Sequence, residues 1–181
     1  GSVTLRFVFL SMLSFVLASI LNFALSIHGF AVIAQLTLIS DLRDWLILYA
    51  CFSTAMFGAA YFIIPRLTGR EWQSSVLVKT HFGTAVLGIA LLLVALGAGG
   101  WIQGHLLNNE AVGFGDIARE LSVWFTLRSI GLALLLLGHI AFLINFGWQT
   151  WAIFSKNSKV AAFRNPPALS LTKISVTEGH A

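Results

Sequence analysis

The 181 residues are 57% hydrophobic and only 10% charged, with a mean hydropathy of +0.87. A soluble domain carries about 25% charged residues, so the composition excludes an ordinary water-soluble domain and places the chain in a membrane. The net charge of +4 reads as a topology signal and lends no support to nucleic-acid binding.

Crossing the hydrocarbon core takes ~20 apolar residues, and only helices or closed barrels satisfy their backbone there. Four continuous apolar runs without period-two alternation occur at 5–27, 45–66, 80–103 and 121–154, the last long enough to project past the bilayer. The expected fold is therefore all-α, a four-helix transmembrane domain over 1–154 followed by an irregular cytoplasmic tail over 155–181.

The first run, with Arg6 before it and Ala24-Leu25-Ser26 after it, is longer than a signal-peptide core and is read as a retained helix. The turn from Ile27 to Asp44 is unusually apolar for a loop and is expected in the outer interface. The second run carries the small-residue step Phe57-Gly58-Ala59-Ala60-Tyr61, breaks at Pro65 and lands on Arg66 and Arg70. A short turn over 67–79, containing Gly69, leads to a third span with Gly83, Gly88, Gly97, Gly99 and Gly100. Gly131 and Gly138 mark the fourth span. Small residues let helices approach closely in lipid, and Gly58 and Gly88 are expected on faces that bury against partner helices. Gly113 and Gly115 break the polar outer loop over 104–120. Trp101 at one interface, and Trp72, Trp148 and Trp151 at the other, read as interfacial anchors.

Arg6, Arg66, Arg70, Lys79, Lys156, Lys159, Arg164 and Lys173 fall on one side of the membrane; Arg43, Arg119 and Arg128 fall on the other, among Asp41, Asp44, Glu110, Asp116 and Glu120. The positive-inside rule puts both termini in the cytoplasm. The single cysteine, Cys51, excludes an intrachain disulfide, no C-x-x-C-H offers covalent haem attachment, and Cys51 itself reads as a small buried hydrophobe.

Residues 42–72, LRDWLILYACFSTAMFGAAYFIIPRLTGREW, resemble the tenth transmembrane helix of haem-copper oxidase catalytic subunits, closest to the C-family (cbb-type) cytochrome c oxidases. That family writes a His-x-His pair, a Tyr, and then FGAxYxxxPRxxGRE. Tyr49, Phe57, Gly58, Ala59, Tyr61, Pro65, Arg66, Gly69 and Arg70 match the later part. Leu77 and His81-Phe82, then Gly99-Gly100-Trp101-Ile102-Gln103-Gly104, match the next helix; Arg128, Gly131, Gly138-His139, Phe142 and Asn145 match the last. LRFVFLSMLSFVLASI is similar to the ninth. The resemblance implies helices nine to twelve of a twelve-helix subunit, in a bacterial inner membrane.

Aligned on Tyr49 and Phe57, the two haem-ligand histidines of the family fall on Arg43 and Trp45. A guanidinium has no lone pair for iron, and an indole is a donor only. The family's copper ligands belong to earlier helices. The expectation is a non-catalytic subunit of a respiratory electron-transport complex, with no catalytic residues, cofactor or metal of its own. Haem and copper would reside in a partner subunit, and its neighbours would be other oxidase or supercomplex subunits and lipids. The alternatives are the C-terminal part of a split oxygen-reducing subunit, and a small haem b carrier using His28 and His105. The plainer reading of His28 and His105 is polar residues at helix ends. His81 is expected to pack or hydrogen-bond at the cytoplasmic surface, and His139 and Asn145 to bond between helices. Arg128 lies where family basic residues meet haem propionates, while Arg43 reads as a loop charge paired beside Asp41 and Asp44.

Overall fold

The computed structural model describes residues 2–154, so the expected tail over 155–181, with Lys156, Lys159, Arg164 and Lys173, lies outside the described residues. Four helices are long and apolar enough to cross a membrane: Val3–Leu25, Leu38–Thr68, Ser75–Leu107 and Ser122–Phe154. Each overlaps one of the four predicted runs, the first ending at Leu25 rather than at residue 27 and the second starting earlier, at Leu38.

Helix α1 (Val3–Leu25) buries Phe7, Ser11, Ser14 and Ala18, a one-sided stripe at helical spacing. The three smaller residues bring the next span close, and the Ser11 hydroxyl donates to the Cys51 carbonyl at 2.8 Å. The apolar turn that follows is helical. It forms α2 (His28–Ala34) and α3 (Leu38–Asp44), and Ala34, Leu38, Ile39 and Leu42 are buried. The expected interfacial loop is thus partly core, because the apolar residues of α3 have α5 to pack against. Leu36 takes the left-handed conformation at φ 61°, turning the chain so that Thr37 can cap α3. The Thr37 hydroxyl oxygen accepts from Ile39 N and donates to Ala34 O.

From α3 the chain runs on through a π-helical stretch (Trp45–Ser53) into α4 (Thr54–Thr68). Pro65 does not break this span. It lies inside α4, and the Tyr61 carbonyl that its missing N–H leaves free accepts from the Trp72 indole at 3.3 Å. The true stop is Gly69, left-handed at φ 62°, which lets its own N–H and that of Arg70 reach Pro65 O. Ser74 then caps α5 (Ser75–Leu107), accepting from Leu77 N at 3.3 Å. A short α6 (Phe114–Glu120) precedes α7 (Ser122–Phe154).

Helix α5 is the hub. Its glycines sit where added atoms would collide with neighbours. A Cβ on Gly88 would stand 2.6 Å from Leu135 Cδ2, one on Gly99 2.8 Å from Trp124 Cβ, and one on Gly100 2.5 Å from Ile39 N; one on Gly104 would overlap Ile33 O. On the facing helix, Gly131 lies against Gly88 O and Gly138 against Thr84 and His81. Gly58 faces Phe7 and Thr4 of α1. The expectation for Gly58 and Gly88 is corrected accordingly. Both close contacts inside this chain, so neither is free to receive a partner helix. The core forms two layers. One gathers Leu38, Leu42, Leu46, Ile89, Leu96 and Leu135; the other is aromatic, built on Phe7 and Tyr61 with Phe57, Trp72, Phe82 and Phe142 packed against it.

The charges divide as the sequence implied. Arg43–Asp44 (2.9 Å), Arg119–Asp116 (3.6 Å) and Arg128–Asp41 (3.4 Å) pair at one end. Among the described residues the opposite end, with Arg6, Arg66, Arg70 and Lys79, has no ion pair.

Replacing Gly100 with Val forces a methine carbon onto backbone rather than a yielding side chain, so overpacking of at least ~1–3 kcal/mol is expected. Gly83→Ala, with nothing within 4 Å of the new carbon, should be neutral or slightly stabilising. Thermal unfolding midpoints in mild detergent check the pair; equal midpoints would contradict this packing.

Candidate functional site

Two tyrosine–histidine pairs define the interior. His81, on the first third of α5, is 0% exposed, and its Nδ1 lies 2.9 Å from the Tyr61 hydroxyl. His139, on α7, places Nε2 3.0 Å from the Tyr49 hydroxyl. Phe57 joins the pairs, 4.6 Å and perpendicular to His81 and 5.5 Å from His139. The two imidazoles are 6.1 Å apart. His81 Nε2 is buried without a hydrogen-bond partner; the perpendicular Phe57 ring is the neighbour geometrically suited to a weak N–H···π contact. Depth is the correction here. His81 belongs to the core rather than the surface, because Phe7, Phe57, Tyr61 and Phe142 enclose it.

Tyr49 reaches His139 from the π-helical stretch, a local form frequent at functional sites. Hydroxyls serve the carbonyls around its change of register. Ser53 donates to Leu48 O at 3.0 Å, and fully buried Thr54 donates to Ala50 O at 2.5 Å.

Below His139, one face of α7 is a polar ladder into the α4–α5 turn. Fully buried Asn145 accepts from Ser74 N (3.2 Å) and donates to Ser74 O (3.1 Å). Gln149 donates to Thr68 Oγ1 and Arg70 O and accepts from Gln73. Arg70 donates to the Ala152 carbonyl. His139 makes the interhelical bond expected of it, to Tyr49, whereas Asn145 ties α7 to Ser74 in the α4–α5 turn rather than to a second helix. Gln149 was missed by the sequence reading; the signal available was its position one turn beyond Asn145, a second amide on the same face of a membrane helix.

The other predicted positions are scattered. Gln103 Oε1 accepts from Leu38 N at 2.9 Å, holding the start of α3 against α5. Arg128 is paired with Asp41. His28 opens α2 and is exposed. His105 is also exposed, with Nδ1 3.0 Å from Trp101 O and its ring 4.8 Å from that indole. Arg43 pairs with Asp44 through two nitrogens, Nε and Nη2, each at 2.9 Å. It does so from a helix, not from the expected loop. Trp45 lies 5.7 Å from Tyr49, tilted by 56°. The groove beside Trp45 and Tyr49 holds about 10 Å³, at or below what one water occupies. Among the described residues no group of three or more His, Cys, Asp or Glu is placed to hold a metal.

The family described as Cytochrome C and Quinol oxidase polypeptide I matches residues 2–160. The chain belongs to this family. It is 33% identical over 112 residues to cytochrome c oxidase subunit 1 of Rhodobacter capsulatus, covering 58% of this chain and 20% of the relative. It is 29% identical over 100 residues to the cbb3-type cytochrome c oxidase subunit CcoN1 of Stutzerimonas stutzeri, covering 51% of this chain and 21% of the relative. The aligned region therefore spans about a fifth of the length of these oxidase subunits.

At the two positions that the resemblance aligns with haem ligands, the guanidinium of Arg43 and the indole of Trp45 offer iron no lone pair. His81 and His139 each have one ring nitrogen bonded to a tyrosine, and Phe57 packs against both rings.

Asn145→Ala leaves Ser74 N without its partner and Ser74 O with only the bond from Val78 N at 3.4 Å, and should cost ~1–3 kcal/mol. Tyr49→Phe removes one side-chain bond between membrane helices, for which ~0.6 kcal/mol is typical. Unfolding of the two variants in detergent, followed by tryptophan fluorescence, should rank Asn145→Ala as clearly less stable.

Proposed function

We propose that this chain is a non-catalytic transmembrane subunit of a respiratory electron-transport complex, in which other subunits hold haem and copper. One observation carries this reading. At the positions where the oxidase resemblance places the two haem ligands, Arg43 is engaged by Asp44 and Trp45 packs on Tyr49. The surrounding helix scaffold nevertheless persists, with its tyrosine–histidine pairs and its glycine contacts to α5 and α7. Membership of the oxidase polypeptide I family supports a place among membrane oxidase subunits. Since Gly58 and Gly88 are used internally, partner contacts fall to outward apolar side chains such as Leu136 and Leu143 of α7, 60% and 61% exposed.

The test is purification from membranes with a tag on this chain. A complete oxidase catalytic subunit should co-purify, and the chain expressed alone should show no Soret band. A co-purifying subunit that lacks its own last four helices would establish the split-subunit reading instead. A Soret band that disappears in His28→Ala or His105→Ala would overturn the proposal in favour of a haem b carrier.

The same proposal places the chain in a bacterial inner membrane with the basic end, and hence both termini, in the cytoplasm. With Cys51 replaced by Ala, cysteines at Asn109 and at Glu71 should react with an impermeant thiol reagent from opposite sides of intact vesicles. Reaction of both from one side would refute that topology.

A further inference from the structure

A cavity of about 710 Å³ opens between α1, α4 and the start of α5, at the basic end that has no ion pair among the described residues. Val3, Phe62 and Val78 give it an apolar wall, and Arg66, Lys79 and Glu71 lie at its charged margin. Its volume is that of a small-molecule site. Arg66 is fixed there, its guanidinium carbon 3.3 Å from the Phe62 ring centroid and Nη1 donating to Phe62 O at 3.3 Å. Two cations against one carboxylate leave the margin net positive. The contrast with the other end is informative, because there Arg43, Arg119 and Arg128 each have a carboxylate. A groove with an apolar wall inside the membrane and cations at its edge has the chemistry of an acyl chain joined to a phosphate.

We propose that this groove is a binding site for one anionic phospholipid. Its phosphate is met by Arg66 and Lys79, an acyl chain lies along Val3, Phe62 and Val78, and Glu71 accepts from headgroup hydroxyls. Charge decides between occupants. The segment after Phe154 carries Lys156, Lys159, Arg164 and Lys173 against Glu178, so its own charge disfavours it beside two cations. A zwitterionic lipid would leave the net positive charge uncompensated. Basic residues at the membrane surface attract anionic headgroups, and a bounded groove turns that attraction into a site with a count of one.

The experiment uses the full chain, extracted in mild detergent, exchanged against phosphatidylglycerol, phosphatidylethanolamine or phosphatidylcholine, and read by native mass spectrometry. One retained phosphatidylglycerol per chain is expected, in clear preference to the other two. Lys79→Gln should weaken retention about fivefold, and Arg66→Gln with Lys79→Gln about 25-fold, the effect of one and two surface cations. Arg6→Gln removes a cation from the same end but not from the groove, and should leave retention unchanged. The proposal is overturned if Arg6→Gln weakens retention as much as Lys79→Gln, which would mean diffuse surface attraction. Equal retention of phosphatidylethanolamine would overturn it too, as would displacement by millimolar inorganic phosphate, which would indicate a free-anion site. Circular dichroism monitors folding, and if the double variant is misfolded, Lys79→Gln alone decides.

Discussion

Everything in this bundle depends on how near other helices can come to α5. Between helices in lipid there is no hydrophobic drive, since the tails are as apolar as leucine, and association rests on van der Waals contact. That attraction falls off steeply with separation, so the backbones must almost touch. Gly88, Gly99, Gly100 and Gly104 make this possible along one helix, meeting Leu135, Trp124, Ile39 and Ile33 in turn. The start of α3 is held at Gly100, and Gln103 of the same helix caps it. The position of the whole Leu38–Thr68 span, and with it Tyr49 and Tyr61, follows from those contacts.

Polar side chains then act as short ties across surfaces already brought together. Each joins a long helix to a turn or to a second helix: Asn145 to Ser74, Gln149 to the end of α4, Tyr61 to His81, Tyr49 to His139. In an apolar medium an unpaired polar group is costly, so such ties select one register of α7 against α5 as much as they stabilise it. The apolar neighbours serve the same end, Phe57 and Phe142 filling the space that the two imidazoles leave.

The proposed non-catalytic role turns on the two positions that the oxidase resemblance aligns with haem ligands. There Arg43 pairs with Asp44 and Trp45 packs on Tyr49. On that proposal the working parts are surfaces: an apolar exterior on α7, and a basic end whose cations are not neutralised within the described residues. The proposed roles, a partner beside the bundle and an anionic lipid in the groove, both follow from surface the bundle leaves uncovered.

Several features were legible in the sequence by itself. Four apolar runs dictated four spanning helices, since nothing else satisfies a backbone in hydrocarbon. The division of Lys and Arg marked the two ends, and the FGAAYFIIPRLTGREW segment pointed to the oxidase family. Other features were decided only by tertiary structure, because they depend on groups distant in the chain. Pro65 looked like a break, yet Trp72 takes up the carbonyl it frees and the helix runs on to Gly69. Ile27–Asp44 looked like an interfacial loop until α5 provided a surface on which Leu38, Ile39 and Leu42 could be buried. Gly58 and Gly88 were readable as sites of close approach, but periodicity names the face of a helix and not its neighbour. That neighbour proved to lie within the chain. The depth of His81 was hidden for the same reason, since four aromatic rings from α1, α4 and α7 enclose it, and no local pattern on α5 records their arrival.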